Sequence, residues 1–135
     1  MGRGGSLRER FFSMSKVENF RDLHVWRRGM DVVEAVYRAS GAFPKSELYG
    51  LTNQIRRAAV SVPSNIAEGH TRATTREYLQ HVAIAQASLA EVETQLEIAA
   101  RLQYVETPVC SKLLQDVQAL RKQLYTLRDA LIKKI

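Results

Sequence analysis

The chain has 135 residues, 45% of them hydrophobic, and a single cysteine, Cys110. That suits one domain with a core of its own, and it excludes wholesale disorder and an intrachain disulfide framework. A formal charge of +6, from 20 Lys and Arg against 14 Asp and Glu, favours acidic partners, nucleic acid first, although solubility alone also accounts for such a balance.

Residues 1–19 read as a flexible basic N-terminal tail, and residues 20–135 as the folded domain. Gly2, Gly4 and Gly5 stand among scattered arginines with no periodicity, and Met14 is an alternative start. This stretch lacks the apolar run of a secretory signal, and no segment is apolar enough to span a bilayer. With one cysteine, the expectation is a cytoplasmic protein with no membrane partner.

A first helix is predicted over about residues 22–40. Leu23, Trp26, Met30, Val33 and Tyr37 step by 3 and 4, which marks them as its core stripe. Gly41 is expected to close it in a left-handed conformation, and Pro44 to prevent continuation. A second helix is predicted from Ser46 to Gly69, with Leu48, Leu51, Ile55, Ala59, Val62 and Ile66 inward. Pro63 removes a backbone donor within it and is expected to kink it. A third helix opens at the capping-box pattern Thr74-Thr75-Arg76-Glu77. Its stripe is Tyr78, Val82, Ala85, Leu89, Val92, Leu96 and Ala99, with small residues Ala83, Ala87 and Ser88 beside it. A fourth is expected to be capped by Thr107, with Pro108 at its first position. Leu113, Val117, Leu120, Leu124, Leu127 and Leu131 form its stripe, and Tyr125 is also placed on the core side. No segment alternates with period two. The fold class is therefore all-α: an antiparallel, up-and-down four-helix bundle.

Charge is uneven along these helices. The third carries Glu77, Glu91, Glu93 and Glu97 against Arg76 and Arg101. The last carries Lys112, Arg121, Lys122, Arg128, Lys133 and Lys134 against Glu106, Asp116 and Asp129. This allows a basic binding face. It equally allows the acidic helix to meet a basic one, in the same bundle or in another subunit.

The densest unusual segment runs from Gln54 to Gly69. Gln54, Arg57, Ser61, Asn65 and Glu68 fall on one side of a helix, away from the apolar stripe. In the plain reading they satisfy helix ends and the groups freed by Pro63. In the functional reading the kink opens a groove lined by Arg57, Asn65 and Glu68, and Arg56 and Arg57 contact phosphate. His24, His70, His81 and Cys110 are scattered without metal-ligand spacing, so no metal site is expected. Ser61, Ser64 and Ser88 have no partner histidine and no nucleophile elbow, and no phosphate-cradling glycine loop is present. Hydrolysis by Glu68 and His70 is the least favoured reading. Trp26 is expected in the core. Tyr49 and Tyr104 near helix ends are freer to act at a surface.

Phe20-Arg21-Asp22-Leu23 with Trp26, then Phe43-Pro44 with Glu47, Tyr49, Gly50 and Leu51, resemble the proteins encoded within intervening sequences of bacterial 23S rRNA genes. So do residues 54–59 running into Ser61-Val62-Pro63-Ser64-Asn65-Ile66-Ala67-Glu68-Gly69, and residues 84–91 with Thr94-Gln95-Leu96. Ala87 stands where that family usually has glycine. The resemblance implies a four-helix bundle, a pentameric homo-oligomer and no cofactor. A related group, the accessory proteins of diversity-generating retroelements, binds nucleic acid for a reverse transcriptase. The expected function is thus non-enzymatic: an oligomer that binds nucleic acid, structured RNA before DNA, through basic surfaces. Arg56 and Arg57 are the first candidates for phosphate contact, with Arg121, Lys122 and Arg128 as a second surface. Pro63, Asn65, Glu68 and Gly69 shape the second helix. The alternative is an oligomeric scaffold for a protein partner, with no nucleic-acid role.

Overall fold

The computed structural model describes residues 19–135, so the tail expected before them lies outside the described residues. Four helices carry the fold: α1 (His24–Ser40), α2 (Leu51–His70), α3 (Thr75–Arg101) and α4 (Thr107–Ile132). Two 3-10 turns, Phe20–Asp22 and Lys45–Glu47, precede α1 and α2, and no strand occurs among the described residues.

The helix ends follow from local chemistry. Thr74 caps α3: its hydroxyl accepts from Glu77 N at 3.1 Å and donates to Glu77 Oε1 at 3.0 Å. α3 ends where Gln103 turns left-handed at φ 61, and Tyr104 N then reaches Ala99 O at 2.8 Å. The capping position of α4 is Glu106, one residue before the expected Thr107, with Pro108 in the first turn. α2 begins at Leu51, not Ser46, because residues 45–47 form the 3-10 turn and Leu48 lies exposed. Glu47 Oε1 accepts from Leu51 N at 3.1 Å and so takes over the capping role. Gly41 is right-handed at φ −61, not left-handed, and its N–H still bonds to Tyr37 O at 3.1 Å.

α2 runs unbroken through Pro63 and ends at His70, with Thr71 as its cap. Pro63 is buried against α1 at Gly29, where an added methyl would lie 3.4 Å from Pro63 Cβ. A residue without a side chain there lets the two helices approach closely.

This approach explains the one core stripe that differs from expectation. α1 buries Val25, Gly29, Val32, Val36 and Ala39. The expected row lies one step round the helix: Leu23, Trp26 and Val33 are half-buried, while Met30 and Tyr37 are exposed. Trp26 sits at the rim, its ring 5.3 Å from that of Phe20. The other stripes face inward largely as expected, through Ile55, Ala59, Val62 and Ile66 on α2, Val82 to Ala99 on α3, and Leu113 to Leu131 on α4. Tyr78 and Leu127 are only half-buried, and Tyr125 is 57% exposed, off the core side. Each fully buried aliphatic side chain contributes roughly 1.5–3 kcal/mol of transfer free energy, so these rows supply the main driving force.

Each helix packs on two neighbours. α2 meets α1 and α3, and α4 meets α3 and α1, with no diagonal contact. The α2–α3 seam is the most extensive and the α1–α4 seam the least. Cross-helix partners run in opposite senses: Gln54 with Gln95, Ser61 with Ser88, and Asn65 with His81.

Candidate nucleic-acid interface

The polar side of α2 does not open outward as a ligand groove along its whole length; much of it is a hydrogen-bonded ladder to α3. Ser88 Oγ donates to Ser61 Oγ at 2.8 Å. Asn65 Nδ2 donates to Ser61 O and Oγ at 2.9 and 3.0 Å. His81 Nδ1 meets Asn65 Oδ1 at 2.9 Å, and Arg72 Nε donates to His81 Nε2 at 3.2 Å. A guanidinium cannot accept, so Nε2 is the bare nitrogen and Nδ1 carries the hydrogen given to Asn65. The chain Arg72–His81–Asn65–Ser61–Ser88 therefore has consistent donors and acceptors, which suits a structural network. Next to it, Gln54, Arg57, Ser61, Ser88, Glu91 and Gln95 line a shallow cavity of about 300 Å³.

Glu68 is exposed, with Arg72 at 4.0 Å, and no hydrogen bond links it to His70 among the described residues. His70 instead packs edge-on against Tyr78, with ring centres 5.9 Å apart. Burial pushes the Tyr78 hydroxyl up to about 12. Burial also raises the Cys110 thiol, helped by the charge of Glu97, so this cysteine is a poor nucleophile. No group of three or more His, Cys, Asp and Glu suited to a metal occurs among the described residues.

The five candidate phosphate contacts do not form one surface. Arg56 works inside the fold: Nε donates to Ser40 Oγ at 2.8 Å, Nη2 to Tyr37 O at 3.2 Å, and the guanidinium covers the Tyr37 ring. It thereby adds a further donor to the Tyr37 carbonyl, which already accepts from Gly41 N, and ties α2 to the end of α1. Arg57 is exposed beside the α2–α3 seam. Arg121 donates to Glu93 Oε1 at 2.8 Å, so acidic α3 meets basic α4 within one bundle. Arg128 is half-buried, 5.9 Å above the Tyr125 ring. Lys122 is exposed and opens onto the α1–α4 seam.

At that seam a cavity of about 980 Å³ lies between the end of α1, the α3–α4 loop and the start of α4. Ala35, Ala39, Ala42, Val109 and Leu113 give it an apolar lining, and its charged lining is Arg38 and Lys112 together with Glu106 and Asp116. A second cavity of about 410 Å³ lies at the other end of the seam, lined by His24, Lys122, Gln123 and Thr126. Sequence reasoning named Lys122 as a candidate but not the grouping of cations across this seam. Its cations come from helices distant in the chain, and only the order of helices around the bundle brings them together. Tyr49 is 91% exposed, as expected of a free aromatic. Tyr104 is not free: it packs on Phe43 and donates to Glu47 Oε2 at 2.9 Å.

A family model described as 23S rRNA-intervening sequence protein matches residues 21–126, from the first 3-10 turn to the last turns of α4. The chain belongs to this 23S rRNA-intervening sequence protein family. The fold is also similar to a crystal structure from Bacteroides thetaiotaomicron, a protein of unknown function from the S23 ribosomal protein family. The TM-score is 0.72 at 18% identity, covering 77% of this chain and 97% of that one. At that identity the likeness concerns the four-helix fold alone. No curated protein matches the chain. No helix among the described residues is long and apolar enough to cross a membrane.

Proposed function

We propose that this 23S rRNA-intervening sequence protein is a non-enzymatic, cytoplasmic, oligomeric nucleic-acid-binding protein that favours structured RNA over DNA. The observation that carries the reading is the distribution of charge. The chain carries a formal net charge of +6, and while the fold engages Arg56 and Arg121 internally, cations such as Lys122 are left on open surface. Such a surface attracts phosphate without base specificity. The family's name associates it with rRNA genes, which makes RNA the first ligand to test. Labelled structured RNA should bind the intact oligomer and resist competition by equal duplex DNA; preference for DNA would overturn the RNA assignment.

The assembly has its own support. One apolar face lies on α1 and α2, where Trp26, Met30, Val33, Val60 and Ala67 line a groove of about 290 Å³. Another lies on the outer side of α3, where Ile84 is exposed beside Ala83, Ala87 and Ala90, with Ile98 exposed further along beyond Glu91 and Thr94. Two different faces on one protomer suit head-to-tail contacts, which close into a ring where the rotation permits, and the family resemblance implies a pentamer. Met30→Asp and Ile84→Asp should each break the oligomer by light scattering, and the two variants mixed should form a one-to-one heterodimer through their intact faces. Variants that stay fully assembled would remove these faces from the interface. The same apolar faces favour a scaffold for a protein partner as the second reading.

A further inference from the structure

We propose that the α1–α4 seam is the track along which the phosphodiester backbone of the bound nucleic acid lies. This rests on the nucleic-acid reading above and gives it a place.

The register of the two helices defines the track. At one end His24 of α1 faces Lys122, Gln123 and Thr126 of α4; at the other, Arg38 faces Lys112 and Asp116. α1 and α4 therefore pass each other in opposite senses. Arg28, one turn beyond His24, comes level with Lys122, as Arg38 does with Lys112. Each helix carries its two cations ten residues apart, about 15 Å at 1.5 Å per residue. The seam thus has cations at two matching heights, Arg38 and Lys112 beside the acids Glu106 and Asp116 at the wide end, and Lys122 with Arg28 level with it by register at the narrow end.

Three further observations fit an anionic strand. α1 and α4 make the smallest of the four helix contacts, so the seam is the one most open to an added chain. Arg28 Nε and Gln123 Oε1 are buried and have no hydrogen-bond partner among the described residues. Rotation of these side chains toward the seam would offer the arginine donor to a phosphate oxygen and the amide oxygen to a ribose hydroxyl. The cations are also free to exchange partners. Arg38 meets Glu34 only at 3.8 Å with both side chains largely exposed, and Lys112–Asp116 is a surface pair within one helix. Such pairs contribute little and are readily traded for phosphate. The alanine and valine lining at the wide end leaves room for a sugar to approach.

The test is binding of labelled structured RNA, and of duplex DNA in parallel, at several salt concentrations, with fold and oligomer mass checked. Lys112→Ala with Lys122→Ala removes one cation from each height. Lys45→Ala with Arg76→Ala removes the same charge from elsewhere on the surface. The seam pair is expected to lose about tenfold in affinity at low salt, and to flatten the plot of log affinity against log salt by about 1.4 to 1.8. The control pair should keep most of the slope. Equal losses in both pairs would overturn the track and leave nucleic-acid binding standing as an effect of net charge. Failure of the unmutated protein to bind either nucleic acid would overturn the reading beneath it. If only the duplex DNA arm shows the seam effect, the track stands and the RNA preference falls.

Discussion

Glu47 lies on a 3-10 turn, yet its carboxylate joins two loops to a helix start. Oε1 accepts from Leu51 N at 3.1 Å and Oε2 from the Tyr104 hydroxyl at 2.9 Å. The Leu51 N–H first, and the Tyr104 hydroxyl second, hold the Glu47 carboxyl below its ordinary 4.5. A lowered folded value means the contribution is complete above the unfolded value and is lost as pH falls through the folded one. The gap in melting temperature between the unmutated protein and Glu47→Ala should therefore be widest near neutrality and close below about pH 4.5. The same bond, followed by burial, raises the Tyr104 hydroxyl, so its part fades as pH climbs above about 10. Thermal melts across pH check both limbs. A gap that does not change with pH would mean that Glu47 acts through packing and not through its charge.

Among the elements, the meeting of α2 and α3 is the tightest. A methyl on Gly69 would lie 2.8 Å from His81 Cβ and 2.9 Å from Tyr78 Cδ1. Gly69→Ala gains roughly 1 kcal/mol in helix propensity but forces the two helices apart, at a cost of about 1–3 kcal/mol. The clash is with side-chain atoms close to the α3 backbone, so we expect overpacking to win. The urea midpoint should fall with the slope unchanged; a raised midpoint would show that α3 yields freely. How much of each element was legible depended on contrast along the chain. α3 and α4 each repeat one apolar row at helical spacing, and most of that row is the core, Tyr78 and Leu127 being half-buried at its edges. α1 carries two adjacent rows. The outer one holds half-buried Trp26 and exposed Met30 and Tyr37, while the buried one includes Gly29 and Ala39, small residues that periodicity undervalues. What selects the second row is Pro63 seated against Gly29, a contact between helices that hydropathy along one helix does not encode. The candidate site was less legible still. The cations were visible as residue types, but their seams were not. Arg56 was drawn inward by the Ser40 hydroxyl and the Tyr37 carbonyl, and Arg121 by Glu93.

At the scale of the whole molecule, the bundle divides its surface by chemistry. The α2–α3 seam is closed by a polar ladder, and the α3–α4 seam carries the Glu93–Arg121 pair. Apolar surface remains on the α1–α2 side and on the outer side of α3, and the open cationic seam lies between α1 and α4. In a head-to-tail ring the two apolar faces would be covered and the cationic seams repeated around the circle. Several weak phosphate contacts on one oligomer would then act together on a single RNA. Binding of RNA by such a ring would then run through phosphate. The most direct test is a salt titration of the unmutated oligomer with labelled structured RNA. Phosphate contacts release counterions, so log affinity should fall linearly with log salt, with a slope near −0.7 to −0.9 per contact. A steep negative slope is the predicted result. No binding at low salt by a folded, assembled protein, or binding indifferent to salt, would contradict the account.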